Sequence, residues 1–337
     1  MVTVAVVGAG GWGKNLVRVF AQLDGCTLRA VCDVNRAVLD AQRKALPGIL
    51  ATPDLEEVLR DPGLDAVVVA VDAPSHHAVA RAALQAGKHV FVEKPLTIDV
   101  RHAEELTELA RKVDRKLMVG HLLLYHPAMT LVKGMCDGGE LGDVYYLYSQ
   151  RLNLGIIRSN ENAWWSLAPH DIAIVLWLYG AVPSTISATG ASYLQTTKGI
   201  DDVVFASLRF PDGRMAQIHV SWLDPNKMRK LTIVGSRKML VFDDTEADEK
   251  VRIYDKGASP RAGYTSYEQG VAVRPGDIRI PNIVMKEPLA LECAEFRDCI
   301  TEGREPRTPG TAGLDVVRVL AAGARSLAEG GALVRLP

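Results

Sequence analysis

Two short stretches of this 337-residue sequence bring together residue types that can do chemistry. In "VFVEKPLT", residues 90–97, an apolar run ends in Glu93, Lys94 and Pro95. Lysine is costly to bury and shifts its pKa readily when buried, which suits it to acid, base and hydrogen-bond work. Pro95 restricts Lys94 to extended geometry and permits a cis bond. Taken alone, the same three residues also describe a surface turn, because Glu and Lys are mostly exposed. In "GAGGWG", Gly8, Gly10 and Gly13 stand at GxGxxG spacing. Glycines so placed allow a tight turn, close approach of backbone to a pyrophosphate, and close packing of the next helix, whose N-terminal amides attract phosphate. Asp33 follows twenty residues after Gly13, where a ribose-binding acid belongs.

These positions predict a dinucleotide site of Gly8, Gly10, Gly11, Trp12, Gly13, Asp33, Val34 and Asn35. Asp33 would accept hydrogen bonds from ribose hydroxyls and repel a 2′-phosphate, which favours NAD, while nearby Arg36 keeps NADP open. Trp12 can equally be packing within the loop, and Asn15 a backbone cap. No HExxH, Cys/His cluster or GxSxG sequence suggests metal or serine chemistry. The five cysteines form no CxxC pair and read as reduced, mostly packed thiols.

The bulk composition narrows the class further. Lys plus Arg is 39 and Asp plus Glu is 40, so no global charge points to nucleic acid or anionic lipid. "MVTVAVVGAG" lacks the basic region of a signal peptide, and no apolar stretch reaches the roughly 18 residues of a membrane span. The expected compartment is the cytoplasm.

The elements that must position these residues follow two periodicities. Up to about residue 120, Val-rich runs such as "VTVAVVG", "DAVVVAV" and "HVFVE" alternate with amphipathic helices, the pattern of a parallel sheet covered on both faces. From about residue 143, consecutive strands such as "DDVVFASLRF" and "RMAQIHVSWL" alternate apolar with polar residues, and "FPDGRM" carries a hairpin signature. One helix is expected at about 167–179, and two more at about 287–302 and 309–328. "TSYEQGVAVRPGDIRIPN" reads as a long loop. The expected fold class is α/β: a Rossmann doubly wound domain over 1–122, then an α+β domain over 123–337 with a large, mostly antiparallel open sheet.

With "GAGGWG" ahead of it, the succession of "VDAPSHH" and "VEKPL" resembles the glucose-fructose oxidoreductase, inositol dehydrogenase and rhizopine-catabolism family, over essentially the whole chain. The resemblance implies that Ala73, Pro74 and His77 lie along the dinucleotide. It implies that Lys94 is catalytic, that Glu93 sits at the nicotinamide end, and that Pro95 fixes the turn. Members carry a histidine at the start of the substrate-domain helix, commonly preceded four residues earlier by an aspartate. In "NAWWSLAPHDIAIVLWLYG", His170 matches the histidine and Ser166 stands in the aspartate's place, which leaves Lys94 and His170 as the implied pair. A histidine in a helix's first turn would feel the positive end of the macrodipole, which favours neutral imidazole. Asp171 is either an N-terminal helix acid or a partner orienting that imidazole. Of Trp164 and Trp165, one would wall the nicotinamide or sugar pocket and the other be core; Trp165 is counted with the cofactor set. Tyr125, His126, Arg151, Asn153 and Arg158 are substrate candidates by position. His76 is a loop residue near the cofactor, while His89, His102, His121 and His219 read as structural.

"LAPHDI", "HVSWLDPNKMRKLTIVGSRKMLVFDD" and "DEKVRIYDKG" resemble an amino-sugar biosynthesis subgroup. Members of that subgroup include dehydrogenases that oxidise the C3 hydroxyl of a UDP-linked N-acetylglucosamine uronic acid before transamination, and related bacterial enzymes prepare aminoglycoside sugars by the same oxidation. Lys227, Arg229 and Lys230 either serve a nucleotide's phosphates or form an exposed basic hairpin. The expectation is an NAD-dependent sugar dehydrogenase. A ketoreductase or inositol-type polyol dehydrogenase, and a non-catalytic NAD-binding regulator, are the alternatives. Family members are commonly dimers or tetramers, and the open second-domain sheet is the expected interface.

Overall fold

The computed structural model describes residues 1–260 and 271–336. Two compact units divide the chain: Met1–His126 with Lys286–Arg318, and Pro127–Met285 with Val319–Pro337.

The first unit alternates β1 (Val2–Val7), α1 (Gly13–Gln22), β2 (Cys26–Cys32), α2 (Arg36–Ala45), β3 (Leu50–Thr52), α3 (Leu55–Leu59), β4 (Ala66–Val69), α4 (His76–Gln85), β5 (His89–Glu93), α5 (Val100–Lys112) and β6 (Leu117–Gly120). The sheet is parallel, in the order β3-β2-β1-β4-β5-β6. Its strands are apolar on both faces because both faces are covered: Val4, Val6, Val67, Val68, Val90 and Val92 are fully buried. The order reverses between β1 and β4, and ligands bind such sheets outside the strands' carboxyl ends at that switch point. Asp99 caps α5, accepting from the Arg101 amide at 2.7 Å, and Arg111 and Lys112 complement its last turn.

The second unit begins with α6 (Pro127–Asp137) and continues through β7 (Val144–Leu152), α7 (Ala163–Tyr179), β8 (Thr185–Ala191), β9 (Val203–Arg209), β10 (Met215–Ser221), β11 (Met228–Gly235), β12 (Met239–Asp243), β13 (Val251–Tyr254), β14 (Gly257–Pro260), β15 (Val271–Arg274) and β16 (Ile278–Arg279). The chain then forms α8 (Pro288–Glu302), α9 (Gly310–Ala328) and β17 (Val334–Arg335). The nine-stranded sheet runs β16-β13-β12-β11-β7-β10-β9-β8-β17, with β7 and β10 parallel and the other neighbours antiparallel. At the Asp-Gly turn, Gly213 takes φ +89° and the Phe210 amide donates to the Arg214 carbonyl at 3.0 Å. α7 packs on β7, β9 and β10, and Ile186, Ala188, Val204, Leu208 and Ile218 are buried in the sheet.

Four expectations need adjusting. α7 begins at Ala163 and not near 167, because Asn162 caps it by accepting from the Trp165 amide at 3.2 Å, and Pro169 lies inside the helix. The segment from 265 to 282 is not one long loop: it contains β15, paired with β14, and β16, while 261–270 lie outside the described residues. α6 had no sequence-based counterpart. Residues 286–318, on the second-domain side of the expected boundary, pack in the first unit, where α8 buries Leu289, Cys293 and Phe296.

Candidate active site

In the glycine loop, two positions admit no side chain. Gly8 takes φ +86°, and a Cβ there would lie 2.7 Å from the Ala70 carbonyl carbon and oxygen. A Cβ on Gly13 would come within 1.9 Å of the Gly8 carbonyl oxygen, so helix and strand could not close together. Gly10 and Gly11 instead face open space. Trp12, at the N-cap of α1, makes no side-chain capping bond, and the Lys14 and Asn15 amides donate to the Gly10 and Trp12 carbonyls at 3.2 and 2.9 Å, so what the helix offers an anion is the positive end of its dipole. A cavity of about 530 Å³ opens there, lined by Gly8, Gly10, Gly11, Asp33, Val34 and Ser75 among others.

Asp33 stands just past β2. Its Oδ2 accepts from the Ala9 amide and its Oδ1 from the Asn35 amide, both at 2.8 Å. These bonds fix the carboxylate while each oxygen keeps a lone pair for a ribose hydroxyl. Asn35 caps α2 by accepting from the Ala37 amide at 3.0 Å, and Val34 is exposed at the cavity rim. The chain therefore fits a dinucleotide: close backbone at two glycines, open backbone at two more, a helix N-terminus, and an oriented acid.

The loop after β4 forms a 3₁₀ turn, Ala73–Ser75, leading into α4. His77 is held against α5: its Nε2 lies 2.8 Å from Glu105 Oε2 and its ring stacks on His102 at 3.9 Å. His76 is buried, with Nδ1 2.8 Å from the Pro95 carbonyl oxygen and Nε2 3.1 Å from that of Val71. It braces the turn after Lys94 against the turn after β4, a role that the sequence reading did not foresee.

At the end of β5, the Lys94–Pro95 peptide is cis. The Trp12 indole N–H donates to Glu93 Oε1 at 2.6 Å, and the Lys94 amide donates to Glu93 Oε2 at 3.2 Å. Trp12 thus joins the cradle loop to the Glu-Lys-Pro turn and is more than loop packing. Gly120, paired with Glu93 across β5 and β6, leaves room for the carboxyl: a Cβ there would approach it to 3.1 Å. Burial pushes Glu93 up to about 7, against the pull of the Trp12 N–H and the Lys94 charge. His121, which follows β6 as Lys94 follows β5, is buried with neither ring nitrogen hydrogen-bonded. Burial, reinforced by the Lys94 charge, pushes it down to about 3, so it is neutral.

In the second unit, His170 is the eighth residue of α7 and half-buried. The helix dipole acts over the first turn, so it does not set the state of this imidazole. Asp171 is held by Arg151, itself buried, which donates from Nε to Asp171 Oδ2 at 2.6 Å and from an Nη to Oδ1 at 3.3 Å. Arg151 therefore ties β7 to α7. Trp164 is core, with no exposed surface; its Nε1 donates to the Leu320 carbonyl at 2.9 Å and its ring fills the space over Gly323. Trp165 is half-buried in the first turn of α7, Ser166 is buried, and Arg158 pairs with Glu161 at 3.1 Å on an exposed loop. In the first unit, Tyr125 and His126 are buried, with the Tyr125 hydroxyl 3.0 Å from Thr308 Oγ1. In the basic hairpin, Arg229 pairs with Asp244 and Lys230 with Asp243, so neither is held ready for phosphate.

The cradle, Asp33, the Ala73–Pro74 turn, Glu93 and Lys94 thus share the carboxyl edge of one sheet, while His170, Asp171, Trp165 and Ser166 share one helix. Among the described residues, no group of three or more His, Cys, Asp or Glu could hold a metal ion. No helix there is long and apolar enough to cross a membrane.

Comparison with known proteins gives two family matches. Residues 2–121 match an oxidoreductase family with an NAD-binding Rossmann fold, and residues 129–241 match the C-terminal domain of the same GFO/IDH/MocA group. The UDP-N-acetylglucosamine 3-dehydrogenase of Acidithiobacillus ferrooxidans is 27% identical over 94% of this chain and 93% of its own. Its solved structure superposes with a TM-score of 0.82, at 23% identity, over 97% of both chains. The NAD-dependent scyllo-inositol 2-dehydrogenase of Bacillus subtilis is 24% identical over 90% of this chain and 88% of its own. The structure of GenD2 from gentamicin A biosynthesis, in complex with NAD, has a TM-score of 0.83 at 22% identity, over 100% of this chain and 96% of that one.

Proposed function

The chain belongs to the GFO/IDH/MocA oxidoreductase family, with an NAD-binding Rossmann domain, and from that premise we propose that it oxidises a ring secondary hydroxyl of an amino sugar, at C3 of a UDP-linked N-acetylglucosamine or its uronic acid. When bound, NAD would accept hydride at C4 of its nicotinamide. Gly8, Gly10, Gly11 and the N-terminus of α1 would hold the pyrophosphate, and Asp33 the ribose. Lys94 donates a hydrogen bond to the developing alkoxide, and His170 takes the hydroxyl proton. The observation that supports this most is the oriented Glu93–Lys94 turn, tied by Trp12 to the glycine loop at the dinucleotide edge.

An aminoglycoside-type sugar is a second substrate of the same class, and the inositol dehydrogenase relative supports a free polyol as a further reading. The test is NADH absorbance in single turnovers at near-stoichiometric enzyme, with a UDP-linked N-acetylglucosamine, its uronic acid, an aminoglycoside precursor and scyllo-inositol offered separately. Turnover of the first two supports the proposal. Turnover of inositol alone overturns the substrate class, and NAD binding without turnover of any overturns the enzyme reading.

The outer face of the nine-stranded sheet exposes Tyr146, Phe205 and Met215, on which we expect copies of the chain to associate. Five free thiols fit a reducing, cytoplasmic compartment.

A further inference from the structure

Glu292 is an acid in a place that disfavours acids. It has no exposed surface, and neither carboxyl oxygen has a hydrogen-bond partner. An isolated buried carboxylate is strongly disfavoured, so such a group holds its proton. Its position follows from register. Phe296, four residues on and therefore on the same face of α8, meets Phe91 edge-on with ring centroids 5.7 Å apart. Glu93 lies two residues beyond Phe91, on the same face of β5. α8 begins beside Arg18 of α1 and reaches the Asp24 carbonyl, past the end of α1, through Arg297, so it runs in the direction of α1 and against β5. Four helical residues rise about 6 Å and two strand residues about 6.6 Å, and the contact that sets Phe296 against Phe91 therefore brings Glu292 toward Glu93.

We propose that Glu292 is a positioning residue: its protonated carboxyl faces the Glu93 carboxylate and, through it, fixes the charge beside Lys94. The inference rests on the reading of Lys94 as the residue acting on substrate and of Glu93 as its neighbour at the cofactor. The surroundings agree. Burial first, and the Glu93 charge second, hold Glu292 well above the usual carboxylate range. The remaining titratable groups in its field are Cys293 on its own helix and Tyr125 on the turn packed against α8, both pushed up by burial and neutral. From α1, Arg18 reaches Glu287 at the start of α8 and is paired there. Lys94 follows Glu93 in the chain and acts on both Glu93 and His121, and His121, held low by burial, is neutral. Among the described residues, Glu93 is thus the charge that acts on Glu292.

The experiment follows NAD⁺ affinity against pH in wild type, Glu292→Met, Glu292→Gln and Glu93→Gln. Oxidised nicotinamide is cationic, so wild-type affinity should fall as pH drops through about 7, the value to which Glu93 is pushed, and Glu93→Gln should abolish that dependence. Glu292→Met removes the polar carboxyl from beside the Glu93 charge, so the midpoint should move up, while Glu292→Gln, which keeps a polar group without a titrating proton, should stay near wild type. Equal midpoints in Glu292→Met and wild type, or equal shifts in Met and Gln variants, would overturn the proposal. Should Glu292→Met fail to fold, the infrared carbonyl band of a protonated carboxyl decides: expected in wild type at pH 8 and lost in Glu292→Gln, its absence from wild type overturns the proposal. A wild-type affinity independent of pH also overturns it, and leaves the dehydrogenase reading to its own substrate test.

Discussion

Replacing Arg151 by methionine separates two readings of this residue. As a substrate contact, it could be lost with a higher KM and little change in stability. In the structure its guanidinium is buried and spans both oxygens of Asp171, itself buried. Arg151→Met keeps the length of the side chain but leaves a buried carboxylate without its counter-charge, which costs about 3–5 kcal/mol. At about 2–4 °C per kcal/mol for a unit of this size, the thermal midpoint should drop by roughly 6–20 °C. Urea titration followed by tryptophan fluorescence reports the same loss as a lower midpoint with an unchanged slope. Arg151→Met/Asp171→Leu removes both charges and should recover most of the stability. Near-normal stability in Arg151→Met with a raised KM would refute the reasoning and return Arg151 to the substrate.

Four further outcomes follow. Gly13→Ala forces a Cβ into the Gly8 carbonyl, and at about 1–3 kcal/mol for such overpacking, NAD affinity measured by calorimetry should fall roughly 5- to 150-fold. Trp12→Phe removes the N–H that holds Glu93 down, so the midpoint of NAD⁺ affinity should move up in pH, by about one unit. His121 lies below its unfolded value of about 6.5, so the unfolded chain gains the proton first; stability present above that pH is lost on acidification toward about 3, at about 1.4 kcal/mol per pH unit. His121→Gln should flatten that slope in urea titrations at pH 7 and 5. Phe205→Glu, on the exposed sheet face, should lower the mass seen by light scattering without unfolding the chain.

The parts of the site that were legible in sequence are those whose chemistry is local. Gly8, Gly13 and Asp33 are constrained by the turn and strand that carry them, and Lys94 by the proline after it. The Rossmann strands were legible because burial on both faces leaves continuous valine runs, as in β1 and β4. Other features depend on partners far along the chain. Nothing near Arg151 announces Asp171, and nothing near Trp164 announces the Leu320 carbonyl that receives its N–H. A helix starting near 167 would put His170 in its first turn, but the Asn162 cap sets the start earlier and removes the dipole argument for His170. Glu292 read as one more polar residue on a late helix, because sequence order does not say which unit that helix packs in. Trp12 stood in the predicted cofactor loop, but its bond to Glu93 belongs to the folded chain.

The most direct test of the central claim mixes NAD and a UDP-linked N-acetylglucosamine substrate with stoichiometric wild type and, separately, Lys94→Ala, and follows NADH absorbance in the first turnover. Wild type should form NADH, and the variant, still binding NAD, should do so about a hundred to ten thousand times more slowly. Equal rates in the two proteins would contradict the assignment of the reaction to the Glu93–Lys94 turn.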